Sequence, residues 1–291
     1  MGRIKWIQRF LALMLVVSLS SCALQKTEGN EKDEPVNGAI LPHHNLVSDY
    51  IDAFYRGIAD SEVERIILIS PNHSDIGSHY IQSTTELPTS LTLDEPLITA
   101  LEAKGAVGVE SISFGAEHGI MVHIYKLEEY FPDAKVTPII LKWKTPQENL
   151  DRLIAAIEDE VGKEGTLVIA SIDFSHFVTE KTAVENDERT MNWLEAWGAG
   201  ILEEDISLEM IWELEHTTHL DTPSATGMDS PESFYIFTQL MGAPSKLEIW
   251  SRTSSISIFG GENPLQNTSH IFVKVWSQGL RIFESTTNLD Y

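Results

Sequence analysis

Cysteine, positive charge and long apolar runs are all scarce in this chain, and each shortage excludes something. The single cysteine among 291 residues is Cys22, close to the start. The rest of the chain therefore has no internal disulfide and no thiolate to offer a metal. Twenty basic residues stand against 44 acidic ones, a formal charge of -24. Such a surface repels phosphate backbones, so no nucleic-acid partner is expected. The longest early apolar run, residues 10–17, is too short to span a bilayer comfortably as a helix. No Gly-rich phosphate loop, nucleophile elbow or Cys-pair metal motif occurs, and no serine carries the marks of a catalytic triad. Internal repeats, heptads and a domain-splitting linker are likewise missing.

What is there divides into three parts. Arg3, Lys5 and Arg9 precede the apolar run, which leads to Leu19-Ser20-Ser21-Cys22. This pattern resembles the signal and lipobox of bacterial lipoproteins, in which the cysteine is diacylated and becomes the mature N-terminus. Two acyl chains give stable anchoring. The expectation is a signal peptide over residues 1–21, lipidation at Cys22, a polar tether over 22–37 and a folded domain over 38–291. The domain would be exported and held on the extracytoplasmic face of a membrane. At 42% hydrophobic and 22% charged, the chain has the composition of a packed globular protein.

The folded part is organised around apolar runs that end in polar chemistry. Residues 65–69 run into Ser70-Pro71-Asn72-His73, residues 38–41 into Pro42-His43-His44, and residues 166–172 into Asp173-Phe174-Ser175-His176. Runs without alternation belong to strands buried on both faces, as in parallel sheets covered by helices. Helical spacing of Val47, Ile51, Phe54 and Ile58 predicts a crossover helix after the first run, and similar patterns predict helices near 94–101, 117–131, 150–161, 191–201, 208–212 and 230–241. Residues 74–93 read as a loop with a short edge strand. Pro138 marks its strand as irregular or at an edge, and two alternating strands close the chain. The fold class is α/β: a single three-layer α/β/α domain with a mainly parallel central sheet.

In such sheets ligands bind beyond the carboxyl ends of the strands. His43 and His73 are the leading metal-ligand candidates, since imidazole is a common ligand and strand ends let two converge without loop flexibility. Asp173 would complete a two-His-one-carboxylate set for iron(II), or serve as a base, with His176 as proton donor. His118, in the first turn of its helix, is the sharper donor candidate when neutral, because the helix dipole disfavours its charged form. His44 and His123 read as structural, His216 and His219 as a weak ligand spacing in a loop, and Asp229 as a helix cap.

Pro42-His43, Ser70-Pro71-Asn72-His73, Glu117-His118 and Ser171-Ile172-Asp173-Phe174-Ser175-His176 occur in the order and rough spacing of the Memo family, also called AmmeMemoRadiSam system protein B. The resemblance covers roughly residues 38–276. It implies a fold similar to class III extradiol dioxygenases, which hold non-haem iron with two His and a carboxylate. It also implies one divalent metal, iron for preference, on His43, His73 and a third ligand from a late Cys-Gly motif. Here that motif reads Ala225-Thr226-Gly227, so Thr226 takes the cysteine position, and Asp173 or Asp229 is left to substitute. The resulting expectation is metal-assisted redox chemistry on a small molecule. The alternatives are a non-catalytic pocket for a small-molecule or peptide ligand, and metal-assisted hydrolysis.

Overall fold

The computed structural model describes residues 35–111, 114–162, 164–202 and 206–277. Contacts divide the chain into Met1–Glu34 and Pro35–Tyr291, and only the second unit is described. The expected signal peptide, the expected lipidation at Cys22 and the expected tether as far as Glu34 thus lie outside the described residues. Val36 is already buried in the core, and the Asn37 amide exchanges hydrogen bonds with the Ser277 backbone.

In chain order the elements are β1 (Gly38–Leu41), α1 (Ser48–Ile58), β2 (Arg65–Pro71), β3 (Ile81–Ser83), β4 (Thr92–Leu93), α2 (Glu95–Ala103), β5 (Gly108–Val109), α3 (His118–Tyr130), β6 (Lys135–Leu141) and α4 (Gln147–Glu160). Then follow β7 (Thr166–Ser171), β8 (Phe174–His176), α5 (Glu180–Gly198), α6 (Leu208–Glu215), β9 (Thr226–Met228), α7 (Pro231–Met241), β10 (Lys246–Ser254), α8 (Ser255–Phe259) and β11 (Ser269–Trp276). The main sheet runs β10-β11-β1-β7-β2-β6-β3-β5, with β4 also on β6, while β8 and β9 form a separate antiparallel ribbon. The centre, β1-β7-β2-β6, is parallel, and the antiparallel pairings are β10–β11, β11–β1 and β3–β6.

Both faces of the central strands are covered. Ile67 and Ile69 of β2 point into one core with Leu153 of α4, Ile211 of α6 and Phe237 of α7. Ile66 and Leu68 point into a second core with Phe54 of α1 and Ile124 of α3. This is the three-layer α/β/α arrangement that unalternating strands require. Among the described residues no helix is long and apolar enough to cross a membrane.

Three local expectations change. Pro138 is in the interior of the sheet, paired to Leu68 of β2. On its other flank β4 pairs at residues 135–136 and β3 at 139–141, so the missing N–H falls where one partner strand gives way to the next. The Pro138 carbonyl there accepts the Ser83 hydroxyl at 2.8 Å. Residues 74–93 hold two short strands rather than one: β3, which β5 covers on its outer side, and β4, which pairs only with β6. The helix α5 stops at Gly198, and Ile201 is 55% exposed rather than continuing the apolar stripe.

Gly227 of β9 sits against the carboxyl end of α6. A Cβ there would lie 2.6 Å from both the Leu214 and the Glu215 carbonyl oxygens, which are backbone atoms that cannot rotate away. Gly227→Ala is therefore expected to cost about 1–3 kcal/mol of stability by overpacking, read as a lower urea midpoint.

Candidate metal centre

Strands β1, β7 and β2 are neighbours and parallel, so their carboxyl ends bring His43, Asp173 and His73 to one edge of the sheet. The amino end of α3 adds Glu117 and His118 from one side, and the β8–β9 ribbon adds His176 and Asp229 from the other. The Asp229 N–H donates to the Asp173 carbonyl at 3.0 Å, which ties the two carboxylate segments together.

His43 is 1% exposed and fully oriented. Its backbone N–H donates to Asp173 Oδ1 at 3.1 Å, and its Nδ1 lies 2.9 Å from Ser171 Oγ. The Ser171 hydroxyl donates its only proton to the Gly119 carbonyl at 2.7 Å, so Oγ must accept from His43 Nδ1–H. That assigns the tautomer and leaves the Nε2 lone pair facing Asp229 Oδ2 at 3.0 Å and Asp173 Oδ2 at 3.6 Å. Gly119 is close-packed, since a Cβ would fall 2.1 Å from Ser70 Oγ.

His73 is held the same way. Its Nδ1 lies 2.6 Å from Glu117 Oε1, and its backbone N–H donates to Glu117 Oε2 at 2.9 Å. Glu117 is the N-cap of α3 and also accepts the Gly119 N–H at 3.1 Å. The His73 Nε2 then faces Asp229 Oδ2 at 3.7 Å, and His176 Nε2 faces the same oxygen at 3.9 Å. His118 lies over His73 with ring centroids 4.0 Å apart.

The electrostatics follow from this crowding. Burial would depress His43, but the Asp173 and Asp229 carboxylates outweigh it and its pKa is raised. For His73 burial also opposes charge, yet the facing Asp229 and Glu117 carboxylates lift it to about 10. Burial pushes Asp229 up, and the surrounding imidazoles pull it well below the usual carboxylate range. His118 is lowered by burial and by the positive His73 and His43, and His176 is lowered chiefly by burial. The cluster demands a cation, whether a proton or a metal ion.

A metal ion fits the atoms present. His43 Nε2, His176 Nε2 and both Asp229 carboxylate oxygens are buried without a hydrogen-bond partner, a costly state unless something else satisfies them. Ligands about 2.1 Å from one ion stand about 3.0–3.4 Å apart, close to the 3.0–3.9 Å separations around Asp229 Oδ2. Two groupings have donor atoms mutually within 4.8 Å: His43, His73 and His118, and His43, Asp173 and Asp229.

All five strand-end and helix-end residues singled out from the sequence meet here. Thr226 lies across the ribbon from His176. Asp229 is not the cap of α7. Ser230 takes that role, its hydroxyl accepting the Ser233 N–H, which frees the Asp229 carboxylate for the pocket. Sequence reasoning also passed over Ser171 as a chemical participant and gave Glu117 no role of its own. Ser171→Ala is expected to weaken metal binding about ten- to a hundredfold, the usual effect of removing a partner behind a ligand. Competition with a chelator on folded protein measures it.

The profile of the Memo-like protein family matches residues 14–208. A MEMO1 family protein of Methanothermobacter thermautotrophicus is 24% identical over 172 residues, covering 55% of this chain and 61% of that protein. Another from Pyrobaculum arsenaticum is 28% identical over 181 residues, covering 58% of this chain and 63% of that protein. The chain thus spans a little under two thirds of the length of these relatives. A crystal structure of an uncharacterized protein from Escherichia coli K12 is similar with a TM-score of 0.46 at 14% identity, covering 81% of this chain and 99% of that one.

Proposed function

This chain belongs to the Memo-like protein family, and on that premise we propose a lipid-anchored, extracytoplasmic protein that binds one divalent metal ion through His43, His73 and Asp229. The observation that carries the reading is the buried Asp229 carboxylate at the focus of the strand ends, whose Oδ2 faces the Nε2 atoms of His43, His73 and His176 at 3.0, 3.7 and 3.9 Å. Two imidazoles and one carboxylate form the donor set that suits iron(II). When bound, such an ion supplies Lewis acidity and one-electron chemistry toward a small molecule.

The chain's own residues have separate tasks in this reading. Ser171 and Glu117 fix the tautomers of His43 and His73, and Asp173 holds the His43 backbone. His118, half exposed at the mouth and kept neutral, is placed to pass a proton to a substrate oxygen. His176 is the second proton carrier, with Nδ1 3.3 Å from the Thr268 hydroxyl. The anchor rests on Leu19-Ser20-Ser21-Cys22, and Cys22→Ala is expected to release the protein from the membrane fraction.

Metal analysis of protein lacking residues 1–22 tests the centre. About one ion per chain is expected in the wild type and almost none in the His43→Ala/His73→Ala variant. Near-zero metal in both would leave only the ligand-binding alternative. Bound metal with no oxygen consumption on catechols would turn the reading from redox chemistry to hydrolysis.

A further inference from the structure

His270 takes no part in the centre just described, yet it is the more anomalous histidine. It lies in β11 with 0% exposure, and neither its Nδ1 nor its Nε2 has a hydrogen-bond partner. A neutral imidazole carries one N–H and one lone pair, so a buried donor and a buried acceptor are both stranded. Native structures rarely tolerate that without an unseen water or ion.

The neighbour of this ring is another stranded imidazole. His44 lies 5.3 Å from it between ring centroids, tilted by 33°, and the His44 Nδ1 is also buried without a partner. The backbone explains the meeting. β11 is antiparallel to β1 with Val273 opposite Ile40, so three residues back along β11 His270 stands level with the turn that follows β1. His44 is extended (φ -75, ψ 125), and successive side chains of extended backbone leave on opposite sides. His43 goes to Ser171 and Asp229, and His44 goes to β11.

We propose that His44 and His270 form a second metal site, distinct from the strand-end centre, which takes a borderline ion of the zinc, nickel or copper(II) class and completes its coordination with water. Imidazole suits these ions, whereas a pair without carboxylate suits magnesium or calcium poorly. The spacing agrees. Two imidazoles bound to one ion at about 2.1 Å per metal–nitrogen bond, at a near-tetrahedral angle, hold their centroids about 5 Å apart. With only two protein ligands the site is the weaker of the two and fills second.

Zinc titration with chelator competition tests this on the folded domain. Wild type is expected to bind two ions, and His270→Gln one. The His73→Ala/Asp229→Ala variant is expected to keep one, at the weaker affinity, and to lose it when His270→Gln is added. His44→Gln, at the less buried end of the pair, is expected to match His270→Gln and stands in for it if that variant does not fold. The proposal is overturned if wild type binds a single ion that His73→Ala/Asp229→Ala removes, or if His44→Gln and His270→Gln both bind as many ions as wild type, which would leave a water bridging the two rings. Failure of the strand-end centre reads differently, as unchanged stoichiometry in the His73→Ala/Asp229→Ala variant.

Discussion

Asp229→Ala is expected to weaken metal binding by at least about a hundredfold, more than Asp173→Ala. The difference follows from how each carboxylate is employed. Asp173 already spends Oδ1 on the His43 backbone N–H at 3.1 Å, and its Oδ2 stands 3.6 Å from His43 Nε2. Asp229 keeps both oxygens free of hydrogen bonds, and its Oδ2 faces three imidazole nitrogens at 3.0, 3.7 and 3.9 Å. Losing a partner behind a ligand already costs about ten- to a hundredfold in affinity. Removing the charged atom at the focus of the imidazoles must cost more. Asp173→Ala instead loosens the His43 backbone and is expected to fall in that smaller range. Chelator competition at fixed pH on both variants, with thermal melts to confirm folding, makes the comparison. If Asp173→Ala loses the metal and Asp229→Ala keeps it, the oxygen ligand is Asp173 and the assignment is reversed.

The strand ends were legible in the sequence because burial on both faces erases alternation. The run before His73 is unbroken from Ile66 to Ile69, that before His43 from Gly38 to Leu41, and that before Asp173 from Leu167 to Ala170. Asp229 was illegible for a specific reason. Asp229 and Ser230 are both good capping residues and adjacent, and only the chain path decides which hydroxyl or carboxylate turns back to the helix. Ser230 does, through the Ser233 N–H at 3.3 Å. Two cap-competent residues in succession were the available clue that one of them was free. Ser171 could not be read at all, since its role depends on the Gly119 carbonyl 52 positions away. His270 was hidden by an ordinary alternating strand. Its environment comes from the β11–β1 pairing, a contact between the two ends of the folded unit. That residues 74–93 hold a second short strand, β3, between β6 and β5 has the same origin: three residues carry no label of which neighbours they will have.

Acidification is expected to destabilise the fold through His123, by about 2 kcal/mol at pH 5 and toward about 5 kcal/mol in the limit. His123 is wholly buried in α3, with Nδ1 2.9 Å from the Tyr55 hydroxyl and Nε2 without a partner. Burial holds its pKa at about 3, far below the ordinary 6.5. The unfolded chain therefore takes up this proton from about pH 6.5 downward, while the folded chain refuses it until about pH 3. Over that window the unfolded state binds more protons, and stability falls as pH falls. Above pH 6.5 the contribution is fully present. Other groups oppose the trend. Burial raises Asp187 to about 6 and Glu232 to about 7, so their folded forms take up protons first and gain stability on acidification over the same range. The raw pH profile is thus a sum of opposing parts, and the informative quantity is the difference between wild type and His123→Gln. Urea unfolding at pH 7, 6 and 5 is expected to show the wild type losing about 2 kcal/mol relative to the variant between the first and last of these. Parallel profiles would mean that His123 takes up its proton in the folded state as readily as in the unfolded one, and that the burial of its ring is relieved by water.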